Sequence, residues 1–157
     1  MSAVAFVAYG QPAPQGSKRH VGAGRMVESS KAVAPWREAV KWAALDVRPP
    51  EPLDGPLLAK VVFTLARPKS AAKSRTAPDR TPDLSKLLRS TEDAMTDAGI
   101  WADDARVVDY IRAAKVWHGF DDEALPIPGV IVAAGHSWAE VVGAFTRARV
   151  DAIKAGQ

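Results

Sequence analysis

The sequence predicts a single α+β (mixed α/β) domain in which helices pack on a sheet of about four strands, in the order β-α-β-α-β-β-α. Four short apolar or alternating runs are typical of strands, and three longer segments repeat their apolar residues at helical spacing. The length of 157 residues and a composition that is 47% hydrophobic and 25% charged suit one globular domain over residues 1–157.

The first three predicted elements are a strand, a helix and a second strand. Residues 3–9 are a short apolar run with β-branched and aromatic members, which indicates a buried strand. Residues 35–47 place their apolar side chains on one helical stripe, and Trp36 on that stripe is assigned to the core or to a subunit interface. Residues 57–66 alternate between apolar and polar side chains, which favours a strand.

Two basic segments separate these elements from one another and from the next helix. Residues 10–25 combine glycines and prolines with Lys18, Arg19 and Arg25, which indicates a mobile loop. Residues 67–80 are predicted to be flexible and carry Lys69, Lys73, Arg75 and Arg80. Such segments either contact phosphates or are ordinary solvated loops, and both interpretations stay open on the residues alone.

The stretch 81–115 is predicted to form a loop, a helix, a tight turn and a strand. Its apolar residues recur at the spacing of a helix with one buried face. Pro82 suits the first helical position and Gly99 suits the stop. Asp83 is therefore predicted in the first turn, where the helix dipole favours a negative charge. Carboxylates before and after this helix can converge only if the chain folds back.

The last part of the chain is predicted to contain two strands and a helix. Residues 107–118 and 129–134 are expected to form a hairpin with a long loop, and Lys115 on the first of these strands is expected to face the site. Residues 137–154 have helical periodicity, with Ser137 as the cap and an apolar face that begins at Trp138.

The stretch 81–115 resembles the RusA-like family of Holliday-junction resolvases. The family pattern is P-D-hydrophobic-D-N, a basic residue, D-A-L, and an aromatic or apolar pair leading into D-D. Here it stands as Pro82-Asp83-Leu84-Ser85-Lys86, Arg89, Asp93-Ala94-Met95 and Ile100-Trp101-Ala102-Asp103-Asp104. Ser85 occupies the position of the second acid. The segment 136–155 is interpreted as a helix added to the family's usual minimum.

The resemblance implies phosphodiester hydrolysis with magnesium as the cofactor, for which manganese is the alternative. It assigns catalysis to Asp83, Asp103, Asp104 and Arg89. It assigns metal binding to Asp83 and Asp104, with Asp103 beside them. For Ser85 the hypothesis is that metal affinity is weakened or that Asp93 or Asp103 compensates. An ion pair with Asp93 on the same helix is the alternative role for Arg89.

The resemblance also implies branched DNA as the partner and a homodimer as the active form, because a four-way junction has two-fold symmetric phosphates. The predicted function is resolution of Holliday junctions by symmetric paired nicks in DNA recombination and repair. A weakly active or inactive junction-binding protein and a nuclease for flaps or forks are the alternatives. The side chains expected to contact DNA are Lys18, Arg19, Arg25, Lys69, Lys73, Arg75, Arg80, Lys86 and Lys115.

Amino-acid composition excludes some kinds of site and indicates where the protein is found. The absence of cysteine excludes disulfides and thiolate metal sites. The net charge of +3 is only mildly basic, so the distribution of charge says more than its total. No apolar run reaches the length of a membrane span and no signal-peptide pattern is visible, so we expect a cytoplasmic protein. The resemblance implies that this is the cytoplasm of a bacterium or of a phage-infected host. A phage or prophage origin is implied by the resemblance alone.

Overall fold

The computed structural model describes residues 3–16, 18–20, 26–28 and 31–156. These residues form a four-stranded mixed sheet, a separate two-stranded sheet and three α-helices, which confirms the predicted class and the predicted order of the main elements. In chain order the elements are β1 (Val4–Tyr9), β2 (Lys18–His20), β3 (Met26–Glu28), α1 (Val33–Leu45), β4 (Leu57–Leu65), α2 (Leu84–Ala98), a 3-10 turn (Asp104–Arg106), β5 (Val107–Trp117), β6 (Gly129–Gly135) and α3 (Trp138–Ala155).

The main sheet has the strand order β1-β6-β4-β5. β6 runs antiparallel to both of its neighbours, so Val132 lies between Phe6 of β1 and Val61 of β4. β4 and β5 run parallel, with α2 as the crossover between them. The predicted hairpin between β5 and β6 is wrong. All seven residues of β6 are buried, whereas most of β5 is only partly buried, so β6 takes a central position covered on both faces.

Helices cover both faces of the sheet and create two cores. α1 and α2 pack together on one face, where Trp36 and Phe63 belong to one buried cluster. α3 covers the other face with Val141 and Phe145. The Trp36 indole donates a hydrogen bond to the Thr91 hydroxyl (3.2 Å). Of the two roles predicted for Trp36, the structure therefore selects the core.

α2 begins later than the sequence predicts. Asp83 directly precedes the helix with extended backbone (φ −68°, ψ 136°), and its carbonyl accepts the first helical hydrogen bond from Leu87 (3.0 Å). Pro82 therefore lies outside the helix, since the extended Asp83 stands between it and the first turn. The predicted stop is confirmed: Gly99 is left-handed (φ 79°, ψ 25°) and its amide bonds back to Met95.

The predicted loop over residues 10–25 is wrong for its middle part. β2 pairs antiparallel with β3, with Lys18 opposite Glu28 and His20 opposite Met26. A three-residue strand obtains its hydrogen bonds from a partner further along the chain, so the local glycine and proline pattern gives no sign of it. Arg25 lies outside the described residues.

The terminal helix has its predicted cap and its predicted apolar face, except at Trp138. The Ser137 hydroxyl accepts a hydrogen bond from the Glu140 amide (3.3 Å). Trp138 is 60% exposed, because it is the first helical residue and lies one turn before Val141, the first residue of α3 that is buried in the core. Among the described residues, no helix is both long enough and apolar enough to cross a membrane.

Candidate active site

Asp83 lies at the end of a segment that Lys115 of β5 holds in place. The Lys115 ammonium donates hydrogen bonds to the carbonyl oxygens of Arg80 (2.7 Å) and Pro82 (2.8 Å). The exposed Asp83 carboxylate lies 3.8 Å from the Lys86 ammonium. Lys115 therefore contacts the backbone that leads directly into Asp83.

Asp103 and Asp104 form the turn between α2 and β5 and interact as a pair. The Asp103 carboxylate accepts a hydrogen bond from the Ala105 amide (3.1 Å), and this bond, together with one to Asp104, lowers the pKa of Asp103. The hydrogen bond with Asp103, partial burial and neighbouring negative charges raise the pKa of Asp104. Two adjacent carboxyls share a proton more readily than they carry two charges, so a cation here would favour ionisation of both.

A third carboxylate, Glu92 of α2, interacts with this pair. Glu92 is 8% exposed, and its Oε2 accepts a hydrogen bond from the Tyr110 hydroxyl of β5. Burial raises the pKa of Glu92 to about 7, the charges of Asp104 and Asp93 act in the same direction, and the Tyr110 bond opposes them. Burial and the bond to Glu92 also raise the pKa of Tyr110.

Of the four aspartates predicted as metal ligands, Asp83 directly precedes α2, Asp93 lies within it, and Asp103 and Asp104 follow it in the turn before β5. Asp93 lies near the turn, since its negative charge raises the pKa of Asp104. Asp83 precedes Asp93 by ten residues, which is a rise of about 15 Å along a helix axis. Within the part of the chain that the structure describes, no three Asp, Glu or His side chains approach closely enough to hold a metal ion between them. The structure thus brings Asp93, Asp103 and Asp104 into one neighbourhood and leaves Asp83 at the start of the helix.

The carboxylate oxygens of the turn suit the way in which proteins usually bind magnesium. Magnesium takes one or two carboxylates together with substrate phosphates and keeps several waters, so it needs no complete protein cage. Asp103 and Asp104 supply such a pair, and a divalent cation would offset the repulsion that Asp104 experiences. Participation of Asp83 and Asp93 as further ligands stays a prediction.

Arg89, at the basic position of the family pattern, and Ser85, at its second acidic position, both lie on the exposed side of α2. Ser85 and Arg89 are exposed, and neither side chain forms a hydrogen bond or ion pair with another described residue. The alternative role considered for Arg89, an ion pair with Asp93, is therefore not observed. Because Arg89 has no partner among the described residues, its guanidinium is available to a phosphate, which it can contact through two donors.

The basic segment between β4 and α2 is anchored by two of its own arginines. Arg67 donates hydrogen bonds to the carbonyl oxygens of Ala72 (2.8 Å) and Arg75 (3.1 Å) and lies 5.1 Å from the Trp117 ring. Arg75 pairs with Asp79 (2.7 Å) and lies 5.2 Å from the same ring. The flexible segment predicted from composition is thus folded against β5. Its remaining basic side chains are exposed: Lys69, Lys73 and Arg80.

Two residues of this region were missed by the sequence analysis. Glu92 borders the apolar stripe of α2 beside Leu88 and Met95, and a carboxylate at the edge of a buried stripe was the one signal available. Tyr110 gave no signal, because its partner lies on a different element and is known only once β5 is placed next to α2.

Comparison with protein families places this site inside a known domain. The family model described as Endodeoxyribonuclease RusA matches residues 9–121, which include α2, the acidic turn and β5 and exclude β6 and α3. A search of curated proteins gave no significant match.

Proposed function

The chain belongs to the RusA family of endodeoxyribonucleases, and we propose that it is a magnesium-dependent, structure-selective endonuclease that resolves Holliday junctions by symmetric paired nicks. The observation that supports this most directly is the Asp103–Asp104 carboxyl pair, with Asp93 beside it, inside the matched range. Manganese is expected to substitute for magnesium, because both are oxygen-binding divalent cations.

The turn carboxylates are the proposed metal ligands. Asp104 and Asp103 would hold the ion, with Asp93 and Asp83 as further candidates. When bound, magnesium stabilises the negative charge of the phosphate and lowers the pKa of a coordinated water. The Ala105 amide orients Asp103 by donating a hydrogen bond to its carboxylate. Asp103 in turn forms a hydrogen bond with Asp104.

The basic side chains near the start of α2 have two different proposed roles. Arg89 would contact the phosphate at which charge develops, because it is exposed and has no ion-pair partner among the described residues. It cannot donate its proton, so its role is electrostatic. Lys86 lies close to Asp83 and would contact the DNA backbone there. Lys115 would act as a positioning residue for Asp83, in addition to any contact with DNA.

The proposed DNA-binding surface extends from the start of α2 over the basic segment that precedes it. A cavity of about 330 Å³ beside Pro82 is lined by Arg75, Arg80 and Trp117. Exposed Lys69 and Lys73 continue the positive surface. Lys18, Arg19 and Arg25 are proposed as a second basic arm that contacts phosphates.

The proposed active form is a homodimer, because paired nicks on a two-fold symmetric junction need one site per subunit. The proposed interface elements are the helices that contain Trp36 and Trp138, α1 and α3. Since Trp36 is buried in the core, the exposed tryptophan of α1 is Trp42, which is 66% exposed, and that of α3 is Trp138.

The test is cleavage of a labelled four-way junction with magnesium and with EDTA. We expect paired nicks only with the metal, and their loss in Asp104→Asn. Asp151→Asn is the matched control, because Asp151 is an exposed aspartate of α3 outside the matched family range. Linear duplex, flap and fork substrates are cut in parallel. Equal cleavage of flaps and junctions would contradict the proposed preference.

A junction-binding protein without cleavage is the second candidate. Two observations favour it: Ser85 replaces an acid of the family pattern, and no three-carboxylate group forms in the described part of the chain. Tight junction binding without nicks, with manganese as well as magnesium, would establish this candidate and reject the nuclease.

A further inference from the structure

The acidic turn contains one cation, Arg106, and this cation is paired with an acid from outside the turn. Arg106 Nε donates a hydrogen bond to Asp54 Oδ1 (2.5 Å), and Asp54 belongs to the segment that precedes β4. Neither Asp103 nor Asp104 forms an ion pair with a residue that the structure describes. The positive charge of the turn is therefore neutralised without the use of either turn carboxylate.

Without Asp54, the Asp103 carboxylate would be within reach of Arg106. Arg106 ends the 3-10 turn for which Asp103 is the cap, and the Arg106 amide donates a hydrogen bond to the Asp103 carbonyl oxygen (3.1 Å). Side chains three residues apart eclipse one another in 3-10 geometry. A guanidinium released from Asp54 would thus pair with one of the two carboxylates that are proposed to hold a metal ion.

The segment that carries Asp54 is joined to the chain immediately before the acidic pair. Leu53 is 1% exposed, and its amide donates a hydrogen bond to the carbonyl oxygen of Ile100 (2.9 Å). The Leu53 carbonyl oxygen accepts a hydrogen bond from the Ala102 amide (2.8 Å). These backbone contacts keep Asp54 beside the turn whether or not its side chain is paired.

Two further hydrogen bonds orient Asp54 itself. Its Oδ1 accepts one from the Gly55 amide (2.8 Å), and its carbonyl oxygen accepts one from His136 Nε2 (2.7 Å). His136 follows β6 and lies outside the matched family range, so a part of the chain beyond that range supports Asp54. An exposed ion pair is weak partly because its side chains lose freedom when they pair, and Asp54 is oriented before it meets Arg106.

We propose that Asp54 is a positioning residue that keeps the Arg106 guanidinium off the turn carboxylates and so leaves Asp103 and Asp104 available to a cation. This inference rests on the proposed metal-dependent function, but it adds no ligand to the proposed site. It implies that Arg106 weakens metal binding only when Asp54 cannot pair with it. That condition separates the role of Asp54 from a general effect of nearby charge.

The test measures binding of Mn²⁺ alone to the full chain, by the loss of the electron paramagnetic resonance signal of the free ion. Asp54→Asn should weaken Mn²⁺ binding by about 5-fold, the upper range for an exposed ion pair. Arg106→Met should change the affinity by less than about 2-fold when Asp54 is present, and should restore it in the Asp54→Asn background. Asp97→Asn is the matched control, because it also frees an arginine from an exposed pair (Arg37 of α1, 3.0 Å), and it should bind normally.

Three results would overturn the inference. If Arg106→Met restores nothing in the Asp54→Asn background, Asp54 only anchors the turn. If Arg106→Met strengthens Mn²⁺ binding equally in both backgrounds, its charge acts independently of Asp54. If Asp54→Asn binds normally while Asp104→Asn does not, Asp54 has no such role and the proposed function stands.

The proposed function itself is tested by Asp104→Asn in the same assay. If Asp104→Asn binds Mn²⁺ normally, the metal assignment of the proposed function fails, and the inference about Asp54 fails with it. Circular dichroism of each variant confirms that the fold is retained.

Discussion

The Tyr110 hydroxyl of β5 donates a hydrogen bond to the Glu92 carboxylate of α2. This contact joins the crossover helix to the edge strand near the acidic turn. It fixes the orientation of a buried acid that otherwise has no protein partner within the described residues. The same strand holds the other end of the site, where Lys115 binds the backbone before Asp83. β5 therefore contacts the Glu92 carboxylate at one point and the backbone that leads into Asp83 at another.

The first prediction concerns the pH dependence of stability without metal. Burial raises the pKa of Glu92 from 4.5 to about 7 in the folded state. The unfolded chain therefore releases this proton first, so stability falls as pH rises from about 4.5 to about 7 and then stays at the lower level. This effect amounts to about 3 kcal/mol for a shift of this size. Glu92→Gln should remove it.

Urea unfolding of the unmodified chain and of Glu92→Gln in EDTA, from pH 4.5 to pH 8, measures the difference. Taking the difference cancels groups common to both proteins, such as Asp121, whose pKa is lowered mainly by its hydrogen bond with Arg112. Glu92→Gln should be the more stable protein at pH 8. Equal pH profiles would show that Glu92 is not protonated near neutral pH.

The second prediction concerns Lys115 as a positioning residue. Lys115→Met removes the two hydrogen bonds to the carbonyl oxygens of Arg80 and Pro82 while retaining most of the side-chain volume. The free energy of unfolding should fall by about 1–3 kcal/mol. Junction cleavage should fall by about 10-fold, because Asp83 loses its support. Lys154→Met, a change at an exposed lysine of α3 outside the matched family range, should alter neither stability nor turnover at saturating DNA.

The third prediction concerns the electrostatic role of Arg89. Arg89→Ala should lower turnover on a junction by about 100-fold at saturating magnesium. Its stability should stay within about 0.5 kcal/mol of that of the unmodified protein, because the side chain is exposed and has no described partner. Single-turnover kinetics separates this effect from weaker DNA binding. Unchanged turnover would assign Arg89 to the solvated surface.

The fourth prediction compares two glycines of helical segments. Gly99→Ala should destabilise the protein by about 1 kcal/mol, because Gly99 has a positive φ of 79° that an alanine adopts poorly. Gly143→Ala should instead stabilise it by about 0.5–1 kcal/mol, since Gly143 lies inside α3 and an added Cβ would meet no atom of another element within 4 Å. Thermal or urea unfolding measures both. Equal effects would contradict the left-handed geometry of Gly99.

Much of the fold was predictable from local patterns. The apolar spacing of α2, the stop at Gly99 and the cap at Ser137 each depend on residues within one or two turns, which a sequence displays directly. The acidic and basic positions of the family pattern could be located for the same reason, because they lie at fixed spacing on one helix and its following turn.

The sequence by itself determined the three helices, the four strands of the main sheet and the place of the acids in the turn, since these follow from periodicity and neighbouring side chains. Only the tertiary structure decided that β6 enters the sheet between β1 and β4, that β2 pairs with β3, and that Tyr110 bonds to Glu92. Each of these depends on contacts between segments far apart in the chain. Such contacts are selected by the burial of whole faces and by hydrogen-bond pairing, which no short window of sequence contains.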